Sequence, residues 1–299
     1  MSGEDNKCIY CGFGEQVATK PLISIVIPVK NGDKYIYDCL SSVLSSLGQI
    51  RDFEVIVSDN HSTDQTINEI QRISDPRVRI VKPGKELTIG ENWTFGSEQA
   101  KGTYFKLVGA DDLLVRNSIQ SEIQQLQSAS SAVAVVSRRK IIGPRGETLI
   151  KSRGYGRLSS LENGSDAIIR TWNSGTNLFG DPSAILFKNQ IVQVNLPWVS
   201  NRYPYVVDLS LYLKVFSNEQ FLVSGNLVSE FRIHPNSVTG STYVGHAKQY
   251  LTLYKENTDD KLFQKLRVFF ACYSIQTLKL IFLMAVNARG WLTRLFSKN

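Results

Sequence analysis

Residues 22–29, LISIVIPV, form an unbroken apolar, β-branched run. Such a run predicts a strand buried on both faces. Apolar positions then change period: Ile36, Cys39, Leu40, Val43, Leu44 and Leu47 recur every three or four residues, predicting a helix that Asp33 is placed to cap. FEVIVS (53–58) predicts a second buried strand, followed by a helix near 64–73, a strand VRIV (78–81), a helix near 91–100 and a strand YFKLV (104–108). Strands and helices alternating in this way imply βαβ units and an α/β fold with a mostly parallel central sheet flanked by helices. Further on, Leu209, Leu211, Leu213 and Val215 predict an amphipathic helix opening at Asp208.

Ligands of parallel α/β sheets bind beyond the carboxyl ends of the strands. The loops there are KNGD (30–33), DNHSTD (59–64) and GADD (109–112), and three carboxylate-bearing loops at one edge suit a cation and a polar ligand. No G-x-x-x-x-G-K-[ST] occurs, and the G-x-G pieces at 12–14 and 154–156 lack a third glycine, so P-loop and dinucleotide fingerprints are both missing. Phosphate charge would then call for a metal. Asp111 and Asp112 concentrate negative charge suited to a hard cation such as manganese or magnesium, while Asp112 also reads as a helix N-cap. Lys106, on the strand before them, either balances the aspartates or points across the sheet, and Trp93 reads as a supporting core residue.

Composition adds limits. The 299 residues, 42% hydrophobic and 10% aromatic, are those of a globular chain, with room for one large domain or a domain and an appendage. The net charge of +7 suits an anionic partner, but basic residues are spread without interleaved aromatics, which disfavours nucleic acid. The first 20 residues read as a flexible leader in which Cys8 and Cys11 form a lone C-x-x-C, open to metal binding or to a reduced pair. No signal-peptide pattern begins the chain, so the catalytic part is expected to face the cytoplasm. From 261 to 296, apolar stretches are interrupted by Gln276 and Lys279 and mixed with Lys265, Arg267, Arg289 and Arg294, short of a spanning helix. Trp291 and the phenylalanines fit a membrane-surface helix; packing on the catalytic domain is the other reading.

The runs ISIVIPVKNGDKYIYDCLSSVLSS, FEVIVSDNHSTDQT and ENWTFGSEQAKGTYFKLVGADDLL closely resemble the family 2 glycosyltransferases of the GT-A fold, in order and spacing over about 22–120. Weaker likeness continues through GDPSAILFKN (180–189), VVDLSLYLKVF (206–216) and FRIHPNSVT (231–239). The resemblance implies a GT-A domain over 21–240, divided into a nucleotide-sugar half (21–115) and an acceptor half (116–240), with a helical C-terminal extension over 241–299. It implies nucleotide-sugar contacts at Pro28, Val29, Asn31, Asp59, Asn92 and Asp111, a divalent metal (Mn or Mg) at Asp112 and His234, and Asp208 as catalytic base. NSGTNLFGDPSA (173–184) resembles the loop flooring the acceptor site. Two positions depart from the pattern: Ala110 stands where many members have an aspartate, and Val207 where an acid usually precedes the base.

The function so implied is inverting transfer from a nucleotide-sugar donor to a glycan or lipid-linked acceptor in cell-surface polysaccharide or lipopolysaccharide synthesis. Its expected place is the cytoplasm, peripheral at the inner face of the cytoplasmic membrane. A catalytically silent nucleotide-sugar-binding scaffold is the alternative. A nucleotidyltransferase is disfavoured because no glycine-rich basic loop follows the first strand.

Overall fold

In the computed structural model, which describes residues 20–156, 159–198, 203–234, 237, 243–259, 264–275 and 277–278, the first apolar run becomes β1 (Ile23–Val29), buried throughout. β2 (Phe53–Asp59) and β4 (Tyr104–Leu107) flank it in parallel, and β3 (Val78–Val81) lies beyond β2. The connections are α1 (Ile36–Ser46), α2 (Thr66–Gln71) and α3 (Ile89–Glu98). Asp33 does not cap α1: Tyr35 occupies the N-cap without a side-chain bond, and the Asp33 N–H donates to Asp64 Oδ2 at 3.2 Å. α3 opens two residues before its expected start because Thr88 and Glu91 form a capping box.

The second half contributes β5 (Leu113–Leu114), α4 (Ser118–Ser128), β6 (Ala132–Ile142), β7 (Thr148–Arg153), β8 (Ser160–Asn163), α5 (Gly164–Ser174) and a 3-10 turn at Pro182–Ala184. Then come β9 (Ile185–Lys188), α6 (Asn189–Asn195), α7 (Val207–Phe216), β10 (Gln220–Arg232) and α8 (Tyr243–Glu256). All ten strands form one sheet in the order β3-β2-β1-β4-β9-β6-β10-β5, with β7 on β6 and β8 on β10. β9 runs antiparallel to β4 and β6, so β6 and β10 point the same way as β1 and β4. The ends of β1, β2, β4, β6 and β10 and the start of β9 therefore share one edge.

Alternation along β1 divides the core. Ile23, Ile25, Ile27 and Val29 pack toward α1 and α4, and Val26 packs with α5, α7 and α8 on the other face. Two features depart from expectation here. α7 is not amphipathic: Val207, Leu209, Ser210, Leu211, Tyr212, Leu213, Val215 and Phe216 are all buried, because neighbouring elements cover the helix all round. Lys106 points across the sheet, where it is fully buried and donates to both Glu122 carboxylate oxygens at 3.0 and 2.9 Å.

Residues 264–275 are helical and pack on the domain through Val268 and Cys272, leaving Leu266, Phe269, Phe270 and Tyr273 exposed. Among the described residues no helix is long and apolar enough to cross a membrane. Cys8, Cys11, Gln276, Lys279, Arg289, Trp291 and Arg294 lie outside the described residues.

Candidate active site

The loops after β1 and β2 are laced together. Asn31, with φ +53°, accepts from Thr63 N–H at 2.8 Å and donates its own N–H to Ser62 Oγ at 2.9 Å. Beneath them Pro28 and Val29 are buried at the end of β1, paired in register with Ser58 and Asp59. Asp59 is fully buried, and its Oδ1 accepts from Ser62 N–H at 3.2 Å. Its Oδ2 has no hydrogen-bond partner and faces Lys82 Nζ at 3.9 Å. A buried carboxylate oxygen left unpaired calls for an explanation, and a ligand donor supplies one. Asn92 is placed elsewhere: it is buried against β2, its amide accepting from Ser58 Oγ at 2.7 Å and donating to Ser58 O at 3.1 Å. It braces the loop rather than lining its opening.

Asn60 was not singled out by its sequence, yet it holds a strap over this edge. Its Nδ2 donates to Leu87 O at 2.7 Å and its Oδ1 accepts from Leu87 N–H at 2.8 Å. His61 meets Pro83 O at 3.0 Å, and Lys30 pairs with Glu86. An Asx residue just after a buried strand is the available signal, since its side chain mimics a peptide group.

After β4, Gly109 to Asp112 form a turn closed by Asp112 N–H donating to Gly109 O at 3.0 Å. β5 follows rather than a helix, so Asp112 is no N-cap; it is buried, accepting from Ser183 Oγ at 2.6 Å and from Arg232 N–H at 3.0 Å. Burial first, then the charges of Asp111 and Asp181, push its carboxyl well above the usual range. Asp111 Oδ2 lies 2.9 Å from His234 Nε2. A Cβ built on Gly109 would stand 2.9 Å from Asp112 Oδ2 and 3.1 Å from Asp111 Oδ1, so both carboxylates lean over one glycine. Arg232, another residue the sequence did not single out, donates from Nε to Asp111 O at 2.8 Å and lies 4.6 Å over the Tyr35 ring, which neighbours His234 at 5.2 Å.

Asp208 sits in the first turn of α7, one residue beyond the helix start, while Val206 occupies the N-cap. Its Oδ2 accepts from Asn177 Nδ2 at 2.7 Å and its Oδ1 from Leu209 N–H at 2.8 Å. Burial raises its carboxyl to about 6 against these two bonds, with Asp181 pushing further up and Arg139 down. The charge of Asp181 raises both carboxyls, and Asp181 belongs to the loop that reaches Asp208 through Asn177 and Asp112 through Ser183.

Residues 24–193 match the model of Glycosyl transferase family 2. The chain belongs to that family. Glycosyltransferase GlyG of Streptococcus pneumoniae is 31% identical over 116 residues, 38% of each chain. Chondroitin synthase of Escherichia coli is 31% identical over 137 residues, 45% of this chain and 19% of that one. Each match spans less than two thirds of the relative's own length. TarS of S. aureus in complex with UDP-GlcNAc superposes with a TM-score of 0.63 at 16% identity, covering 84% of this chain and 71% of that chain. Mannosyltransferase PcManGT from Pyrobaculum calidifontis, in complex with GDP-Man and Mn2+, gives 0.58 at 14% identity, covering 91% and 76%. These likenesses establish the GT-A fold.

In this family 2 chain the sheet edge gathers Pro28, Val29, Asn31, Asp59, Asp111, Asp112 and His234, with Asp208 arriving from α7 and Asn92 set behind β2. Among the described residues no three His, Cys, Asp or Glu side chains form a complete metal cage. Mg and Mn are commonly held by one or two carboxylates, with substrate phosphates and water completing the shell. Asp111 Oδ1, which makes no hydrogen bond among the described residues, the neighbouring imidazole and the crowded charge of Asp112 fit such an ion.

Proposed function

We propose that this chain is an inverting, metal-dependent glycosyltransferase that moves a sugar from a nucleotide-diphosphate sugar to an acceptor hydroxyl in cell-surface polysaccharide or lipopolysaccharide synthesis. The observation that carries the reading is that one loop ties two carboxylates together: Asn177, bonded to Gly180, donates to Asp208 Oδ2 at 2.7 Å, and Ser183 of the same loop donates to Asp112 Oδ2 at 2.6 Å, beside the Asp111–His234 pair. Burial raises the Asp208 carboxyl to about 6. A base with that proton affinity is largely ionised at neutral pH and accepts a proton readily. Asp208 takes the acceptor hydroxyl proton as that oxygen bonds to the anomeric carbon, opposite the leaving group. The carbon–oxygen bond to the diphosphate breaks, and its electron pair departs with the nucleotide. Asp112 and His234 would hold a manganese or magnesium ion that offsets the diphosphate charge, with Asp111 beside them toward the ribose or sugar. Asp59, through its unpaired Oδ2, accepts from the base or ribose, and Pro28, Val29 and Asn31 shape the surface beside it.

Thermal shift and donor hydrolysis over UDP-, GDP- and dTDP-sugars, with and without manganese, test this for wild type and Asp112→Ala. One donor should stabilise the wild type in a metal-dependent way, by about 2.7 kcal/mol at a hundredfold excess over Kd, and the variant should lose the response. A folded wild type that binds a donor yet transfers to no acceptor would favour the silent scaffold, a reading kept open by the buried Val207.

The acceptor side is proposed to meet the inner face of the cytoplasmic membrane. Exposed Leu266, Phe269, Phe270 and Tyr273, interleaved with Lys265 and Arg267, form a face suited to an acidic lipid surface. Co-sedimentation should show binding to phosphatidylglycerol vesicles that Phe269→Ser/Phe270→Ser weakens about tenfold, since two buried rings carry much of such an anchor. Equal sedimentation with and without vesicles would end the membrane reading.

A further inference from the structure

Beside the base, this chain has lost an acid. Val207 is buried at 5% exposure where the family resemblance expects a carboxylate next to Asp208. Its side chain is committed to the core, so position 207 offers nothing to the reacting groups.

A different acid lies in the loop that bonds Asp208. Asp181 comes from the loop before β9, 8% exposed, and its Oδ1 lies against Nε of Arg139 on β6, equally buried. The backbone is shaped for that approach: Gly180 has φ +99°, and a Cβ there would run into the Arg139 guanidinium. Asn177 joins this turn to the base. Its Nδ2 donates to Gly180 O at 3.0 Å and to Asp208 Oδ2 at 2.7 Å, while its Oδ1 accepts from Gly180 N–H at 3.3 Å.

The charges of Asp181 and Arg139 touch, but their hydrogen bonds are not aligned. Both Asp181 carboxylate oxygens, Arg139 Nε and Nη1 and the Tyr212 hydroxyl are buried without a hydrogen-bond partner. A purely structural ion pair gains most from bidentate, aligned contacts, because desolvation must be offset in full. Here Asp181 Oδ1 and Arg139 Nε meet, which leaves Asp181 Oδ2 and Arg139 Nη1 buried without a hydrogen-bond partner. Resting on the reading of Asp208 as base, we propose that Asp181, held by Arg139 and joined to Asp208 through Asn177, is the positioning carboxylate of the transfer site, supplied from the loop before β9 in place of residue 207.

The physical effect has two parts. Through Asn177 the turn fixes the direction of the Asp208 carboxylate. Through space, Asp181 in its ionised form, which Arg139 favours against the rise that burial causes, keeps Asp208 a stronger base, since like charges raise each other's proton affinity. The groups facing Asp208 are Asp181 from the loop, Arg139 from β6 and Tyr212 from its own helix, with Asp181 outweighing the opposing Arg139. Burial raises the Asp181 carboxyl, the charges of Arg139 and Lys106 on β4 oppose that rise, and Asp181 in turn raises Arg153 on β7 against its own burial.

Transfer kinetics of Asp181→Asn, Asp181→Glu, Asp208→Asn and the double variant Arg139→Gln/Asp181→Asn test the proposal, with melting and donor binding measured in parallel. Asp181→Asn should lower kcat about tenfold at unchanged donor KM, by weakening the base and loosening its aim. The acid limb of its kcat profile should move to lower pH, because Asp208 loses its like-charged neighbour and keeps Arg139. Asp181→Glu should recover most of the rate. The double variant leaves no unpaired buried charge, and should still be slow. Wild-type kcat and pH limb in a folded Asp181→Asn, or wild-type rate in the double variant, would overturn the proposal. A loss of rate in Asp181→Asn that merely tracks the loss of folded protein would overturn it too. If Asp208→Asn is itself fully active, the reading of the base fails; if it is inactive while Asp181→Asn is normal, only the role of Asp181 falls.

Discussion

Asp208→Asn is expected to lower kcat by about two to four orders of magnitude while leaving donor binding and the fold in place. The change keeps the shape of the side chain and can keep the bond from Leu209 N–H, but it removes the carboxylate proposed to take the acceptor proton. Donor affinity should persist because Asp59, Asp111 and Asp112 reach the site from other strands. In wild type, kcat should fall as pH drops through about 6, where burial sets the Asp208 carboxyl, and the variant's residual rate should lack that limb. Stability carries the opposite sign. A carboxyl raised above its unfolded value contributes stability that is complete below the unfolded value of 3.8 and lost as pH rises through about 6. At pH values above that range the ionised Asp208 is therefore a cost to the fold. Its removal offsets the loss of the bond from Asn177 Nδ2, which the variant's amide cannot accept together with that from Leu209 N–H, so the variant should melt close to wild type. A variant that melts well below wild type and loses donor binding as well would mark Asp208 as structural. Calorimetry beside steady-state kinetics separates these outcomes.

How much of this was legible follows from the range of the interactions. β1 to β4 and their helices show in the sequence because each fills its own apolar pattern and the crossover rule orders them. The carboxylates of DNHSTD and GADD could be placed at one edge by topology alone, without any contact being known. The second half was obscure because β6, β9 and β10 pair across long separations with register shifts, which no local period announces. α7 looked amphipathic in its alternating leucines, but burial depends on what covers a helix, and that lies elsewhere in the chain. The supporting groups hid for the same reason. Ser183 meets Asp112 from 71 residues away, and the Arg232 N–H from 120. Asp181 stood within a recognised loop, yet only the fold brings it to Arg139, in the loop that bonds Asp208 through Asn177.

Lys106→Met should destabilise the protein by about 3–5 kcal/mol, the usual consequence of leaving one member of a buried ion pair without its partner. Lys106 and Glu122 are both fully buried, and Ser137 Oγ donates to the same carboxylate at 3.2 Å. Burial already pushes the Glu122 carboxyl up in spite of Lys106, so without the ammonium it must stay protonated or face the interior charged. The double variant Lys106→Met/Glu122→Leu removes both charges, and its stability should return to within about 1–2 kcal/mol of wild type or exceed it. Urea unfolding of the four proteins gives the coupling energy directly, and single-variant effects that sum to the effect of the double would show that the pair is not coupled. The contact also bears on the site. Burial raises the Asp181 carboxyl, and the charges of Arg139 and, less strongly, Lys106 on β4 oppose that rise. The double variant should therefore fold well and still transfer more slowly than wild type, because it repairs the core without restoring the cation behind Asp181.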